Sequence, residues 1–185
     1  MTRLLIVPIV LEKIGKDVVV AVADYVEQFY SRFELHAVIL PEIGIDDFSV
    51  EYNWSRGQFL GRTFLPTLAQ IKDTLRAGAA LGITDADLYE KGLNFIFGLA
   101  SPYLKVAIIS LHRLRPEFYG KISNEELLKD RAIKEAMHEL GHVFGLEHCP
   151  NPKCVMHFSN SILDTDLKSR EYCDDCLKKL KEVFK

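Results

Sequence analysis

Two periods of hydrophobic and polar residues follow one another along the first half of the chain. Apolar runs within Leu4–Val10 and Glu34–Leu40 are typical of buried β-strands. Between them, apolar side chains recur every three or four positions over Asp17–Phe33, which predicts an amphipathic helix. The same spacing over Leu60–Leu75 predicts a second helix, which Pro66 should start or kink. This alternation of strands and helices indicates an α/β fold.

The middle of the chain predicts shorter elements. Ile43–Ser55 follows neither period, and we interpret it as a loop or an irregular edge segment. Ile83–Leu88 is expected to be a short strand. Asn94–Ala100 and Lys105–Leu111 are rich in strand-forming residues and are separated by a short turn sequence. We therefore expect these two runs to form an antiparallel pair.

A long helix is expected to begin near Ser123, where Ser123 and Glu126 match a capping box. Counted at about 100° per residue, this helix has two distinct sides. One side carries Arg131, Glu135, His138 and His142, and the opposite side, expected to face the sheet, carries Ile133, Ala136, Leu140 and Val143. We therefore expect a helix that is packed on one side and presents its imidazoles on the other. A charged helix near Asp174–Phe184 is predicted at the C-terminus.

Composition indicates an ordinary globular protein. The chain has 185 residues, of which 48% are hydrophobic and 26% charged. We expect one domain over residues 1–185, with a sheet and helix part at 1–145 and a cysteine-rich segment at 146–185. The net charge of −3 argues against a broad nucleic-acid surface. No run approaches the ~20 apolar residues of a membrane span, so no membrane partner and a cytoplasmic location are expected.

The eleven residues from His138 to His148 carry the most specific signal, because they fit the pattern HExxHxxGxxH. His138 and His142 are one helical turn apart and can bind one metal ion together. Glu139 lies beside them as a candidate general base. Gly145 can adopt a positive φ, end the helix and let His148 return to the same ion. The alternative is a helical histidine pair that is solvated or caps a neighbouring group.

The ligand set predicts a reaction class. Three neutral imidazoles leave a fourth zinc position open for water, whose pKa then falls toward ~7. Glu139 can take a proton from that water and later give it to a leaving amine. Zinc also polarises a carbonyl group. These properties suit the hydrolysis of peptide bonds.

Four cysteines follow the histidine motif in a C-x4-C and C-x2-C arrangement. Two disulfides or four ordinary buried thiols are the alternatives, but a cytosolic chain disfavours the first. The paired spacing favours a tetrahedral structural zinc site whose ligands are Cys149, Cys154, Cys173 and Cys176. Because Cys149 directly follows His148, the two metal sites should be neighbours, and the cysteine cluster should hold the segment that carries the third imidazole. We therefore expect two Zn²⁺ ions per chain.

With these residues placed, the chain resembles the archaemetzincin family of metzincin-type zinc metallopeptidases. The matching stretches are Gly92–Gly98, Ile109–Leu114, the histidine helix, Cys149, Cys154–Met156, Phe158–Ser161, Asp166–Lys168 and Cys173–Cys176. The first eighty or so residues match more loosely.

The resemblance implies a twisted, mostly parallel mixed sheet with one antiparallel edge strand, packed by two long helices and the zinc-binding helix. It implies that the cleft is bordered by a segment on which an extended peptide could add as a strand, with candidate residues Asn94, Phe95, Ile96, Phe97 and Gly98. It implies that Met156 is the methionine of the turn under the catalytic metal. It also implies a peptide substrate, and some members are described as aminopeptidases.

Several other polar residues carry weaker signals. We interpret Ser159, Asn160 and Ser161 as turn and helix-cap residues, with Asp164 completing a capping box. His112 and His157 are expected to be structural histidines. Tyr119 and Tyr172 are weak candidates for stabilising an oxyanion.

Three functions compete at this point. The first is a zinc metallopeptidase that acts on peptides, and the resemblance suggests cleavage from their N-termini. The second is a metal-dependent endoribonuclease with three histidine ligands, but such enzymes have no glutamate after the first histidine and no four-cysteine tail. The third is a zinc-stabilised binding module with an inactive or latent site. Glu139 and the acidic net charge favour the peptidase.

Overall fold

A computed structural model describes residues 2–185 of the chain. The strands are, in chain order, β1 Thr2–Val10, β2 Leu35–Ile39, β3 Ile43–Gly44, β4 Tyr52–Asn53, β5 Gln58–Leu60, β6 Ala79–Thr84, β7 Leu88–Tyr89, β8 Gly98–Ser101 and β9 Val106–Ser110. The α-helices are α1 Lys16–Tyr30, α2 Leu65–Thr74, α3 Glu125–Val143, α4 Ile162–Leu167 and α5 Asp174–Val183.

The main sheet is mixed and mostly parallel, with the strand order β2-β1-β6-β9-β8. Strands β2, β1, β6 and β9 run parallel, whereas β8 pairs antiparallel to β9 at the edge. Strand β3 extends the pairing of β1 beyond β2. A small second sheet has the order β4-β5-β7. The α/β fold with one antiparallel edge strand is thus confirmed.

Side chains from the two faces of β1 enter different hydrophobic clusters, as the alternation of side chains along a strand requires. Leu4 and Ile6 pack with α1 and α3 on one face of the sheet. Leu5, Val7 and Ile9 pack with α2 on the other face. Because both faces of the sheet are covered, β1 is apolar throughout, and this explains why its sequence shows a continuous run instead of an alternation.

Helix α3 differs from the prediction in two respects. It is capped by Asn124, whose side-chain oxygen accepts a hydrogen bond from the Leu127 amide at 3.0 Å, so the expected Ser123–Glu126 box was wrong. Its histidine-bearing side is also buried: Arg131 is 1% exposed and His138 5%. The reason is tertiary, because the segment 153–172 lies over this side of the helix.

Ion pairs hold that segment on α3. The guanidinium of Arg131 donates two hydrogen bonds of 2.7 Å to Asp166 and a third to the carbonyl of Leu114. The Asp130 carboxylate binds both Lys134 and Arg170. These contacts join α3 to residues that follow the histidine motif, so they hold that segment against the helix.

Other strands and helices begin or end a few residues away from their predicted positions. The strand expected at Ile83–Leu88 was wrong for most of its length, because β6 ends at Thr84 and β7 begins only at Leu88. Between them, the carboxylate of Asp85 accepts hydrogen bonds from the backbone amides of residues 11–13. The predicted second helix begins at Leu65 with Pro66 in its first turn, which confirms Pro66 as a helix start. Ile43–Ser55 is an irregular segment with two short strands, as expected. Across residues 2–185, no helix is both long enough and apolar enough to cross a membrane.

Candidate active site

The end of α3 and the turn after it bring three imidazoles together. His138 and His142 project from the same side of the last helical turns. Gly145 has a φ of 90° and lets the chain leave the helix. His148 then returns from outside the helix, and ring nitrogens of the three histidines lie within 4.8 Å of one another. The sequence prediction of a three-histidine cluster therefore agrees with the geometry.

The hydrogen bonds of the two helical histidines favour a bound cation. Nδ1 of His138 lies 2.8 Å from the carbonyl oxygen of Val155, and Nδ1 of His142 lies 2.7 Å from that of Leu146. A carbonyl can only accept, so both Nδ1 atoms carry protons. In the neutral rings both Nε2 atoms are then bare acceptors, yet they are 3.1 Å apart. Two facing lone pairs at this distance fit a shared metal ion, such as zinc.

Burial keeps these rings neutral. Removal from water lowers the pKa of His138 well below its usual value and lowers the pKa of His142 and His148 as well. The positive charge of Lys168 acts in the same direction on all three. Neutral imidazole is the form that binds a metal, so the surroundings favour coordination.

Glu139 is buried beside this cluster. Desolvation raises the pKa of its carboxyl well above the usual range, the charge of Glu135 raises it further, and Lys168 opposes the rise. The carboxyl packs against Gly98 at the edge of the sheet, where a Cβ atom would lie 2.6 Å from Oε1. The absence of a side chain at Gly98 thus allows the strand edge to approach Glu139.

A cleft of about 230 Å³ runs between the edge of the sheet and the residues after the histidine motif. Its walls include Leu93–Gly98, Glu135, His138, Glu139 and Phe158–Asn160. The expected edge residues Asn94–Gly98 therefore border the cleft. However, β8 begins only at Gly98, so the prediction of a regular strand from Asn94 was wrong.

Side chains from elsewhere in the chain hold the irregular part of this edge. Arg56 and Gln58 both donate hydrogen bonds to the carbonyl of Asn94. Arg113 packs over the ring of Phe95, with its guanidinium carbon 4.6 Å from the ring centre, while Asp87 binds the same guanidinium through two 2.8 Å hydrogen bonds. These contacts replace the missing strand pairing, which explains the misplaced strand boundary.

The edge of β8 that faces away from β9 is free, and its first residue, Gly98, lines the cleft. The amide of Ser110 donates a hydrogen bond to the carbonyl of Phe97, and Leu99 pairs with Ile108 of β9. Because backbone groups alternate in direction along a strand, those of Gly98 and Ala100 point away from β9. Within the described part of the chain, β9 is the one strand that pairs with β8.

The four cysteines form a second cluster, with their sulfur atoms within 4.8 Å of one another. The sulfurs of Cys149 and Cys173 are 3.7 Å apart, too far for the ~2.05 Å bond of a disulfide. Four sulfurs at ~2.3 Å from a tetrahedral zinc ion would be about 3.8 Å apart, so the spacing fits such a site. The amides of Met156 and Cys173 also donate to the sulfur of Cys154.

Backbone contacts connect the two clusters. The amide of Cys149 donates to the carbonyl of Met156 at 2.9 Å, and the ring of His157 donates from Nδ1 to the carbonyl of Cys149 at 2.9 Å. Met156 itself is fully buried and packs against Gly141, where an added Cβ would collide with the methionine sulfur. The turn around Met156 thus contacts both the histidine helix and the cysteine cluster.

Comparison with known proteins agrees with this geometry. The model of "Peptidase family M54" matches residues 1–182. The chain belongs to this family. It is 54% identical over 180 residues to archaemetzincin from Pyrococcus furiosus, covering 97% of this chain and 94% of that protein. It is 53% identical over 182 residues to archaemetzincin from Pyrococcus abyssi, covering 98% and 96%.

Solved archaemetzincin structures share the fold. The archaemetzincin from Archaeoglobus fulgidus, crystallised with malonate, is 34% identical and superposes with a TM-score of 0.76 over 96% of this chain and 99% of that one. A zinc-dependent peptidase from Methanocorpusculum labreanum is 30% identical, with a TM-score of 0.80 over 95% and 99%. The chain is therefore an archaemetzincin-type zinc metallopeptidase, and the endoribonuclease and binding-module hypotheses are set aside.

Several weaker sequence candidates in this archaemetzincin lie away from the cleft. The hydroxyl of Tyr172 is buried and donates to the carbonyl of Met137, and that of Tyr119 donates to the carbonyl of Arg113. Neither tyrosine lines the cleft, so both were poor oxyanion candidates. Ser161 forms the expected capping box with Asp164. The sequence did not predict the contact of Lys168 with Glu135, because the two residues are thirty-three positions apart in the chain.

Proposed function

We propose that this protein hydrolyses peptide bonds with His138, His142 and His148 as the ligands of a catalytic zinc ion and Glu139 as the general base and acid. The observation that carries the proposal is the pair of Nε2 atoms 3.1 Å apart, each on a ring whose other nitrogen donates to a carbonyl. Glu139 lines the same cleft as His138. The imidazole of His138 and the carboxyl of Glu139 therefore face the same cleft.

Zinc bound there would supply a Lewis acid that polarises a carbonyl group and increases the acidity of water. Glu139 takes the proton from the attacking water and delivers it to the nitrogen of the departing peptide. Gly98 leaves room for this carboxyl against the strand edge. Val155 and Leu146 hold the imidazoles in the tautomer that directs Nε2 inward.

The substrate in this proposal is an extended peptide that pairs with the free edge of β8. The outward backbone groups of Gly98 and Ala100 provide the hydrogen bonds of an added strand. Such contacts are independent of sequence, so they hold the peptide in register while the cleft walls select its side chains. The narrower proposal of cleavage from the N-terminus rests on the resemblance to family members described as aminopeptidases.

We further propose that Cys149, Cys154, Cys173 and Cys176 bind a second, structural zinc ion, which gives two Zn²⁺ per chain. The 3.7 Å sulfur spacing supports this assignment. A reducing compartment such as the cytoplasm would keep these thiols available for the metal. The connection of Cys149 to Met156 supports a role for this site in holding the segment that carries His148.

The experiment compares zinc-loaded wild type with Glu139→Ala on a diverse peptide library. We expect cleavage by wild type and a loss of at least about a hundredfold in kcat in the variant, because general base catalysis is removed. Cleavage at the wild-type rate by Glu139→Ala would rule out this mechanism. Peptides with free and acetylated amino ends separate N-terminal trimming from internal cleavage.

A metal measurement completes the test. Two zinc ions per chain are expected in wild type, and one in a variant that lacks His138 and His142. One zinc per wild-type chain, retained in that variant, would place the metal at the cysteines alone.

A further inference from the structure

The floor of the catalytic cleft contains polar groups that the proposed reaction does not use. Glu135 lies one helical turn before Glu139 and lines the same cleft, although only 3% of its surface is exposed. Ser159 lines the opposite wall. Its hydroxyl oxygen is buried and has no hydrogen-bond partner among residues 2–185. Buried polar groups are normally paired, so the unpartnered hydroxyl of Ser159 across the cleft from Glu135 suggests a site for a polar ligand.

The charge of Glu135 is already balanced. The ammonium of Lys168, which is 2% exposed, lies 3.1 Å from Oε1 of Glu135. The hydroxyl of Thr165 donates to the same oxygen at 3.2 Å. Both contacts are to Oε1, where Lys168 forms an ion pair without hydrogen-bond geometry, so the second oxygen, Oε2, is free of these two contacts. The floor thus presents a carboxylate acceptor whose net charge is cancelled by a neighbouring ammonium.

The walls above this floor are largely apolar. Phe95, Phe97 and Phe158 line the cleft together with Leu93. Phe95 and Phe97 pack edge to face with ring centres 5.1 Å apart. Apolar walls with a few polar groups at one end are typical of pockets that select a side chain by its tip.

We propose that this cleft binds a substrate side chain that ends in a carboxamide, as in glutamine or asparagine, next to the scissile bond. The inference rests on the proposed peptidase function and names the specificity of the same site. The amide nitrogen of such a side chain donates to Oε2 of Glu135, and its carbonyl oxygen accepts from the hydroxyl of Ser159. The apolar stem packs against the phenylalanine walls.

Other substrate side chains form less favourable contacts with Glu135 and Ser159. A lysine ammonium at Oε2 would lie close to the ammonium of Lys168, and like charges repel strongly where water is excluded. A glutamate would place a third carboxyl beside Glu135 and Glu139. A leucine would fill the cleft but leave Ser159 and Glu135 without partners, which costs free energy when polar groups are desolvated.

The test measures binding and cleavage separately. Uncleavable phosphinic peptides, in which the scissile amide is replaced, are prepared with glutamine, leucine, lysine or glutamate on either side of that position. We expect glutamine at one side to bind zinc-loaded wild type about a hundredfold more tightly than leucine, because each of the two buried hydrogen bonds contributes up to about tenfold. The same four-residue series in cleavable peptides should show the same order of kcat/KM.

Ser159→Ala is the decisive variant, because it removes one hydroxyl and leaves the Glu135–Lys168 pair intact. It should reduce the glutamine-to-leucine affinity ratio by about tenfold, the loss expected for one buried hydrogen bond. Ser55→Ala is the matched control, since Ser55 is exposed in the turn after β4, and it should leave the ratio unchanged.

The outcomes separate this proposal from the proposed function. Equal affinities for glutamine and leucine peptides, or a ratio that Ser159→Ala does not change, would overturn the specificity even if the enzyme cleaves peptides. A glutamine preference in binding without any cleavage would support the specificity and count against the catalytic proposal. Preferred binding of lysine would show that the ammonium of Lys168 does not balance Glu135.

Discussion

Gly98 lies against the carboxyl group of Glu139, so closely that a Cβ atom at residue 98 would be 2.6 Å from Oε1 and 2.7 Å from Cγ. One residue belongs to the edge strand and the other to the histidine helix, forty-one positions later. Their approach sets the distance between the substrate-binding edge and the proposed general base. A side chain at residue 98 would have to displace one of these elements.

Gly98→Ala should therefore reduce activity by displacing Glu139. We expect a fall in kcat/KM of about a hundredfold, since small misplacements of a catalytic group have effects of this size. Overpacking should also lower the free energy of unfolding by about 1–3 kcal/mol. Peptide cleavage and urea denaturation measure the two effects.

Gly44→Ala is the control for this substitution, because a Cβ at residue 44 would make an ordinary contact of 3.7 Å with Asp47. It should preserve activity. Full activity of Gly98→Ala would show that the carboxyl of Glu139 can move without cost to the reaction.

Loss of the cysteine site should weaken the histidine site. In Cys173→Ala/Cys176→Ala, the segment that carries His148 and Cys149 loses its link to α5, and we expect zinc affinity at the three histidines to fall about 10–100-fold, as for other supporting contacts of metal ligands. Competition with a chelator of known affinity measures the zinc dissociation constant. An unchanged catalytic-zinc affinity in the folded double variant would contradict a supporting role for the cysteine site.

The ion pair between Arg131 and Asp166 should contribute strongly to stability, because its cation is buried. Asp166→Ala leaves the guanidinium of Arg131, which is 1% exposed, without its carboxylate. We expect the free energy of unfolding of the zinc-loaded protein to fall by about 3 kcal/mol. Asp73→Ala breaks a pair with Lys72 whose carboxylate is 72% exposed, and it should cost less than about 1 kcal/mol. Urea denaturation that shows a similar loss of unfolding free energy for Asp166→Ala and Asp73→Ala would contradict a strong contribution from the buried pair.

Asp130 should make stability depend on pH in the acid range. Burial alone would raise the pKa of its carboxyl, but hydrogen bonds from Lys134 and Arg170 outweigh that effect and lower the pKa. The folded protein therefore binds a proton at residue 130 less readily than the unfolded chain. The stabilisation is complete above the unfolded pKa of about 3.9 and is lost as the pH falls through the folded value.

Asp130→Asn removes this titration. At pH 6 the variant should be less stable than wild type, and the difference should shrink as the pH is lowered below about 4. Denaturation measures this difference in unfolding free energy. The free zinc concentration is matched at each pH, because the metal sites also respond to acid. A difference that is constant from pH 6 to pH 3 would show that Asp130 is not stabilised in its charged form.

The sequence by itself determined the histidine cluster and the general fold class. His138 and His142 are related by one helical turn, and Gly145 permits the reversal that returns His148, so local geometry brings the three rings together. The alternation of strands and helices likewise follows from local periodicity. The cysteine spacing indicated a second cluster, because its ligands occur as two close pairs.

Only the tertiary structure decided what surrounds the histidine cluster. The histidine side of α3 is buried because residues 153–172 return to it through pairs such as Arg131 with Asp166. The edge before Gly98 is held by Arg56 and Gln58 instead of by strand pairing. These contacts join residues far apart in the chain, and their formation depends on the whole packing arrangement. Local spacing therefore predicted the metal ligands, whereas it did not predict that Lys168 pairs with Glu135 or that Ser159 lies across the cleft from them.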